Sequence, residues 1–415
     1  MNKITALFAP QAAQYQGMGR RWITEYKGIN RRFEQASNLL QLDLIDLCIN
    51  GESEKLQKTE LSQIAIFTLS YSMYEQFCSD YNPNISYLAG HSLGEITALT
   101  AAGVFTFEDA LKFVYERGRA MAICCSHNPS TMYAIRNIDS NTLETLLQEY
   151  NANEKGVFIA NYNTPDQTIL SGKVDDLEDF IDEFSNLVQY IPLPVSGAFH
   201  SVYMGGAANA LKDVLNSIAL HDFQIPVVNA NEMRFYRKED DIRQLLLDQI
   251  VKPVNWYKSL EMLKRNGTKL WIEFGPKDIL RKTVISSVFN PRAYHYDSED
   301  ISPLLEEIDT IEKRNQKTPN VIGLCLGAAV SAKNNCQDDE LYQNNVVASY
   351  NKIQDIYDNL QYENRKPSRE EAEMSLYLLK LILDTKQVSE QERDRKINEI
   401  IEMANSVAAK RDDVV

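Results

Sequence analysis

Histidine is scarce in this chain, with five among 415 residues, so any chemistry that needs an imidazole has few candidates. The six cysteines, Cys48, Cys78, Cys124, Cys125, Cys325 and Cys336, contain no C-x-x-C pair and no evenly spaced framework. That argues against a secreted disulfide scaffold and offers no zinc-type ligand set, so a reducing compartment and no metal are expected. Basic residues are also short, 43 Lys and Arg against 58 Asp and Glu, for a net charge of −15. Such a balance argues against general nucleic-acid or membrane-surface binding, and an anionic ligand must be met by a local basic patch. No apolar run reaches membrane-spanning length, and the first residues lead almost directly into a strand without a signal-type leader. A cytoplasmic protein is expected. Repeats and low-complexity tracts are missing too. What is present is ordinary globular composition, 44% hydrophobic and 9% aromatic, in a chain long enough for two or three domains with full cores.

The stretch that organises the chain is 84–95, Asn-Ile-Ser-Tyr-Leu-Ala-Gly-His-Ser-Leu-Gly-Glu. Ile85 to Ala89 reads as a buried strand and Leu93 to Ala102 as a helix. Between them Gly90-His91-Ser92-Leu93-Gly94 has the G-x-S-x-G pattern of a nucleophile elbow. Glycine two places either side of the serine suits a strand and helix that pass too closely for a Cβ. The turn would present the Ser92 hydroxyl, with the positive helix N-terminus facing any oxyanion formed there. Five-residue patterns recur by chance, and an ordinary strand–glycine–helix junction would look the same.

Around this stretch the reading is as follows. Residues 3–9 form a first strand, which leads into a loop, 10–19, rich in glutamine and glycine. Helices are expected near 20–40, 60–80 and 107–126. From about 130 the order becomes βαββαβ, with strands at 131–136, 156–161, 167–171 and 188–194 and helices at 140–150 and 173–186, the ferredoxin-like arrangement. A helix at 203–219, a strand at 225–229, helices near 240–265 and a strand at 269–274 return to the larger pattern. Strands alternating with helices imply a mainly parallel sheet, with active residues at strand carboxyl ends. Beyond about 300 charges interleave with Leu, Ile and Tyr, strand signals fade, and Pro367-Ser368-Arg369-Glu370-Glu371 reads as a helix start. The fold class is therefore α/β: a parallel-sheet core over 1–128 and 198–300, an inserted subdomain over 129–197, and a helical extension over 301–415.

A serine elbow needs a base. His91 lies inside the elbow and points the wrong way along the turn. His127 ends a helix, His221 follows one as a possible cap, and His295 stands among loop-like residues. His200, in Ser196-Gly197-Ala198-Phe199-His200-Ser201, follows a strand and precedes a helix, which makes it the candidate base.

Taken together, Gly90-His91-Ser92-Leu93-Gly94-Glu95, Ala101-Ala102-Gly103, Glu116-Arg117-Gly118 with Met121, and Asn161-Tyr162-Asn163-Thr164-Pro165 with Gln167 resemble the malonyl-CoA:acyl-carrier-protein transacylases. Ser171-Gly172, Gly197-Ala198-Phe199-His200-Ser201, the segment Gln249 to Trp256 and Glu273-Phe274-Gly275-Pro276 continue the resemblance in order over roughly the first 290 residues. It implies an α/β-hydrolase-like core with a ferredoxin-like insert. It also implies Ser92 as the acylated nucleophile, His200 as its base, and Gln249 as the residue that steadies the histidine. Gln11 and the backbone N–H of Leu93 would form the oxyanion hole. Arg117 would pair with the free carboxylate of a malonyl group, and Phe199, Gln63 and Asn161 would line the pocket. The family's opening Phe-Pro-Gly-Gln-Gly-Ser-Gln stands here as Phe8-Ala9-Pro10-Gln11-Ala12-Ala13-Gln14. Both loop glycines are replaced, and losing one oxyanion donor would cost about a hundred- to a thousandfold in rate.

The function implied is malonyl transfer from malonyl-CoA to the phosphopantetheine thiol of an acyl carrier protein, with no cofactor of the enzyme's own. The helical tail and the Gly-Ala-Phe-His-Ser stretch look most like the free-standing transferases that serve polyketide synthases in trans. Two alternatives stay open from the residues: a hydrolase that clears acyl groups from carrier proteins, and a non-catalytic carrier-protein-binding subunit. Arg117 speaks against the first, and the intact Ser92, His200 and Gln249 against the second.

Overall fold

The computed structural model describes residues 2–127, 129–152, 155–195, 197–317, 321–363 and 367–409. They form two compact units, Asn2–Ile308 and Asp309–Val415, whose division falls inside the Ser302–Lys317 helix.

Among the described residues the first unit has the strands β1 (Lys3–Phe8), β2 (Ile85–Gly90), β3 (Ser130–Arg136), β4 (Val157–Thr164), β5 (Gln167–Lys173), β6 (Gln189–Pro192), β7 (Val228–Asn229), β8 (Arg234–Phe235), β9 (Thr268–Phe274) and β10 (Arg292–His295). One sheet has the order β10-β9-β1-β2, and every pair in it is parallel. Strands β1, β2 and β9 are buried over nearly all of their length, and β1 and β2 are mostly apolar, because helices pack on the sheet. Helices Thr59–Tyr81, Leu93–Ala101 and Phe107–His127 pack together here, and the first two are buried over most of their length. Trp256, Leu260, Leu263, Trp271, Leu280 and Val284 form part of the core with the sheet residues Leu7, Tyr87 and Ala89.

A second, antiparallel sheet has the order β4-β5-β3-β6. Helices Ser140–Asn151 and Val174–Phe184 supply Leu143, Leu147, Leu177, Phe180 and Ile181 to its own core. The strand–helix alternation expected from 131 to 194 is present. β4 runs further than expected, through Asn161 to Thr164, and hydrogen bonds from Tyr162 N to Val254 O and from Val254 N to Ala160 O tie it to the segment after the Ile242–Val251 helix.

Some elements differ from the sequence reading. The helix expected at 203–219 is three short pieces, Val202–Met204, Gly205–Ala210 and Lys212–Asn216, since paired glycines and an asparagine weaken its first half. The strand expected at 225–229 reduces to two-residue β7, with a single parallel bridge from Val227 to Leu88. His295, read as loop, ends edge strand β10, and its Nε2 bonds Gly275 O at 3.1 Å. His221 caps no helix; its N–H bonds Val104 O.

In the second unit, helices Val321–Ser331, Ala348–Glu363, Arg369–Thr385 and Glu390–Ala409 enclose Ile322, Cys325, Ile353, Leu379, Ile382, Leu383 and Ile400. The helix start expected at Ser368 carries a full capping box with Glu371. Buried Lys386 donates to the carbonyls of Ala329 and Ala332, satisfying groups at the end of the Val321–Ser331 helix.

Candidate active site

The elbow is as tight as its glycines suggest. A Cβ at Gly90 would come within 1.9 Å of the Gly94 carbonyl carbon, and one at Gly94 within 2.0 Å of Phe8 O on β1. Ser92 stands at the helix N-cap with φ 54° and ψ −105°, a conformation that costs a side-chain-bearing residue about 1–3 kcal/mol. The strain lifts its hydroxyl out of the turn. Leu93 is the first helical residue, so its N–H has no carbonyl four residues back within the helix.

His200 also sits at positive φ, 58°, and is buried. Its Nε2 lies 2.9 Å from Ser92 Oγ, and its Nδ1 donates to the backbone carbonyl of Gln249 at 2.8 Å. That bond fixes the tautomer, leaving Nε2 as the acceptor that faces the serine. Burial first, and the Arg117 charge second, push the imidazole down to about 3, so it is neutral and able to take a proton. The other histidines stay apart from Ser92: His91 Nε2 bonds Asn163 Oδ1 at 2.9 Å, and His127 bonds Ile123 O within its own helix.

Arg117 projects from the Phe107–His127 helix into the same space and is almost wholly buried. Its Nη1 donates to Gln63 Oε1 at 2.7 Å, and Nη2 donates to Ser92 Oγ at 3.1 Å and Gln249 Oε1 at 3.2 Å. All three partners are uncharged, and among the described residues no carboxylate pairs directly with the guanidinium. Burial lowers it to about 10, opposed by the charge of Glu95, so it remains a cation at neutral pH. A buried arginine without a salt-bridge partner, touching a candidate nucleophile, is set up to receive an anion.

Gln249 steadies the histidine through its main chain, not its side chain: the backbone carbonyl holds the base, while the side-chain Nε2 donates to Ser92 O at 3.2 Å and Glu95 Oε2 at 3.1 Å. Gln63 Nε2 donates to Gln11 Oε1 at 3.1 Å, and Gln11 Nε2 reaches Thr59 Oγ1 at 3.4 Å. Ala12, at one replaced loop glycine, takes φ 77°, so the backbone keeps a left-handed turn there despite its Cβ. Gln11 and Ala12 border a cavity of about 560 Å³ lined also by Lys58, Thr59, Cys125 and Lys277. Phe199 is buried, with its ring against Gly197. Asn161 is buried, and its Nδ2 has no partner among the described residues. The structure thus joins Ser92, His200, Gln249, Arg117, Gln63 and Gln11 in one network, while no hydrogen bond links Phe199 or Asn161 to it among the described residues.

Two residues of the network had no role in the sequence reading, Glu95 and Tyr236. The Tyr236 hydroxyl donates to Glu95 Oε1 at 2.6 Å, and burial raises the Glu95 carboxyl to about 7. The signal available was a lone charged residue on the otherwise uncharged elbow helix.

A model of the acyl transferase domain matches residues 6–294. The chain is 28% identical over 393 residues to a malonyl CoA-acyl carrier protein transacylase of Bacillus subtilis, covering 94% of this chain and 98% of that one. It is 34% identical to the polyketide biosynthesis malonyl CoA-acyl carrier protein transacylase BaeC of Bacillus velezensis, over 67% of this chain and 94% of BaeC. Among solved structures, a malonyl-transacylase in complex with its type II polyketide synthase acyl-carrier protein superposes with a TM-score of 0.69 at 28% identity, covering 74% of this chain and all of that one. The chain belongs to the acyl transferase domain family, among its malonyl CoA-acyl carrier protein transacylases.

Proposed function

We propose that this protein is a malonyl-CoA:acyl-carrier-protein malonyltransferase working by ping-pong transfer through a Ser92 ester. The observation that carries the reading is that Ser92 Oγ lies between a neutral imidazole nitrogen and a buried guanidinium that, among the described residues, no carboxylate bonds directly. His200 Nε2 takes the hydroxyl proton as Oγ adds to the thioester carbonyl. The oxyanion is met by the Leu93 N–H and the Gln11 loop at the positive end of the Leu93–Ala101 helix. The C–S bond breaks, the proton passes to the leaving thiolate, and coenzyme A departs. The phosphopantetheine thiol of a carrier protein then gives its proton to His200 and attacks the ester carbonyl; the C–O bond to Ser92 breaks, and His200 returns the proton to Ser92 Oγ. Throughout, Arg117 holds the malonyl carboxylate with two N–H donors, steadied by Gln63 and Gln249. Phe199 and Asn161 are assigned to the pocket wall.

The same reading takes the parallel-sheet core as α/β-hydrolase-like over 1–128 and 198–300, the antiparallel sheet as a ferredoxin-like insert over 129–197, and 301–415 as a helical extension. The resemblance to BaeC favours polyketide synthase carrier proteins, loaded in trans, as the acceptors. No described helix is long and apolar enough to cross a membrane, and the reading places the enzyme in the cytoplasm. It invokes no metal or cofactor.

The test is intact mass after mixing with malonyl-CoA. The wild type should gain one malonyl group that maps to Ser92, and Ser92→Ala should gain none while keeping its fold. His200→Ala should load about a hundred to ten thousand times more slowly. An adduct mapping elsewhere would end the assignment.

A further inference from the structure

The steps above leave Glu95 without a use, although it is fully buried three residues after Ser92. The groups that face it come from several elements. Tyr236 donates to Oε1, Gln249 Nε2 to Oε2, and the Ala230 backbone N–H also donates to the carboxyl. The cation acting on it is Arg117. Asp240, which acts on Tyr236, is itself paired with Arg234 at 2.7 Å. Glu95 and Arg117 therefore form an ion pair split by one amide: guanidinium Nη2 donates to Gln249 Oε1, and Gln249 Nε2 donates to the carboxylate. The amide dipole lies in the favourable sense, its oxygen toward the cation and its nitrogen toward the anion.

We propose that Glu95 is a specificity-tuning positioning residue: it is the resident counter-charge of Arg117, weakens the arginine's hold on a malonyl carboxylate, and takes a proton from solvent as that carboxylate docks. The inference rests on Arg117 being the carboxylate contact. Two carboxylates on one buried guanidinium disfavour each other's ionisation, and the one that bonds it directly keeps its charge. Burial already holds the Glu95 carboxyl near neutrality, so the proton is within reach at ordinary pH. The arrangement has a kinetic reason. A malonyl group gripped equally in the ester and in the transition state gains nothing in turnover, so a moderated grip costs nothing in turnover and keeps KM from falling needlessly low.

The measurement is the ratio of kcat/KM for malonyl-CoA to that for acetyl-CoA, taken from about pH 6 to about pH 8.5. The ratio cancels titration of His200 and of the coenzyme phosphates, which both substrates share. In the wild type it should rise on the order of tenfold as pH falls, the effect of removing one charge at roughly 10 Å in an effective dielectric of about 20. Glu95→Gln, isosteric and uncharged, should hold the high ratio throughout, through a lower KM for malonyl-CoA and not a higher kcat. A flat wild-type ratio, a falling one, or a Glu95→Gln profile that follows the wild type would overturn the proposal. The wild-type profile decides alone if the variant does not fold. Arg117→Ala separates the two levels. If it leaves the ratio unchanged, the carboxylate reading of Arg117 fails. If it abolishes malonyl preference while the wild-type ratio stays flat, only the role of Glu95 fails.

Discussion

At the residue scale, the proposed mechanism turns on Arg117. The guanidinium touches Ser92, Gln63 and Gln249 through neutral oxygens only, and its charge is the second cause of the depressed imidazole of His200. A malonyl carboxylate would satisfy the cation and relieve the histidine together, so the correct substrate strengthens its own base. Removing one partner of a buried charge pair costs about 3–5 kcal/mol, mostly because the other charge is stranded. Arg117→Ala should therefore lower malonyl loading by roughly two to three orders of magnitude on that scale, while acetyl loading holds or improves. Parallel loading assays with the two thioesters check this, and equal losses for both would remove Arg117 from the pocket. Arg117→Lys should recover little, because an ammonium cannot offer two parallel donors. Ser92, His200, Arg117 and Gln249 were named in the sequence through the resemblance that their short motifs carry, whereas Glu95 had no role in that reading. The use of the Gln249 backbone carbonyl, and the pairing of Glu95 with Tyr236 across 141 residues, were not legible there. A main-chain acceptor has no residue signature, and a contact between distant segments exists only once the sheet has formed.

At the element scale, what positions the site is how closely β1 and β2 let the elbow helix approach. Gly94 packs against the β1 backbone so tightly that Gly94→Ala would drive a methyl into the Phe8 carbonyl, and loss of soluble folded protein is the expected result. The loop after β1 works differently. Ala12 holds the left-handed turn at φ 77° with an exposed side chain, so it carries a conformational cost of about 1 kcal/mol that glycine would not. Ala12→Gly should raise the urea midpoint by an amount equivalent to at most about 1 kcal/mol, since glycine also loosens the unfolded chain. Malonyl loading should stay within a few-fold, because the backbone already has the turn. A large gain in rate would instead show that the alanine distorts the oxyanion loop. The strands that form this frame were readable as apolar runs. The marginal elements were read less well: β7, expected over 225–229, is two residues long, and β10, not expected as a strand, is an edge strand of Arg-Ala-Tyr-His whose partner, β9, lies some twenty residues back and supplies the pairing that the local sequence does not specify.

At the scale of the whole molecule, every candidate site residue lies in the Asn2–Ile308 unit, while Asp309–Val415 has its own buried core. The similarity to BaeC takes in 94% of that protein but only 67% of this chain, so a related transferase does without such a tail. The B. subtilis relative matched over 94% of this chain carries the similarity onward through it. The two facts together separate chemistry from whatever the tail adds. A chain ending at Lys317, which keeps the Ser302–Lys317 helix whole, should be soluble and should acquire one malonyl group at Ser92 at close to the wild-type rate, as read by intact mass. Its transfer to a carrier protein is the informative second step. The full chain carries a net charge of −15, which repels an acidic partner at long range, and repulsion of this kind acts mainly on the association rate and is screened by salt. If the tail contributes a docking surface, the shortened enzyme loads normally but delivers malonyl slowly, with a raised KM for the carrier protein and an unchanged one for malonyl-CoA. If the tail only packs, both half-reactions are unchanged. A shortened chain that is insoluble, or folded but unable to load, would mean that the catalytic unit depends on the tail for its own structure, and the separation drawn from the relatives would not hold for this protein.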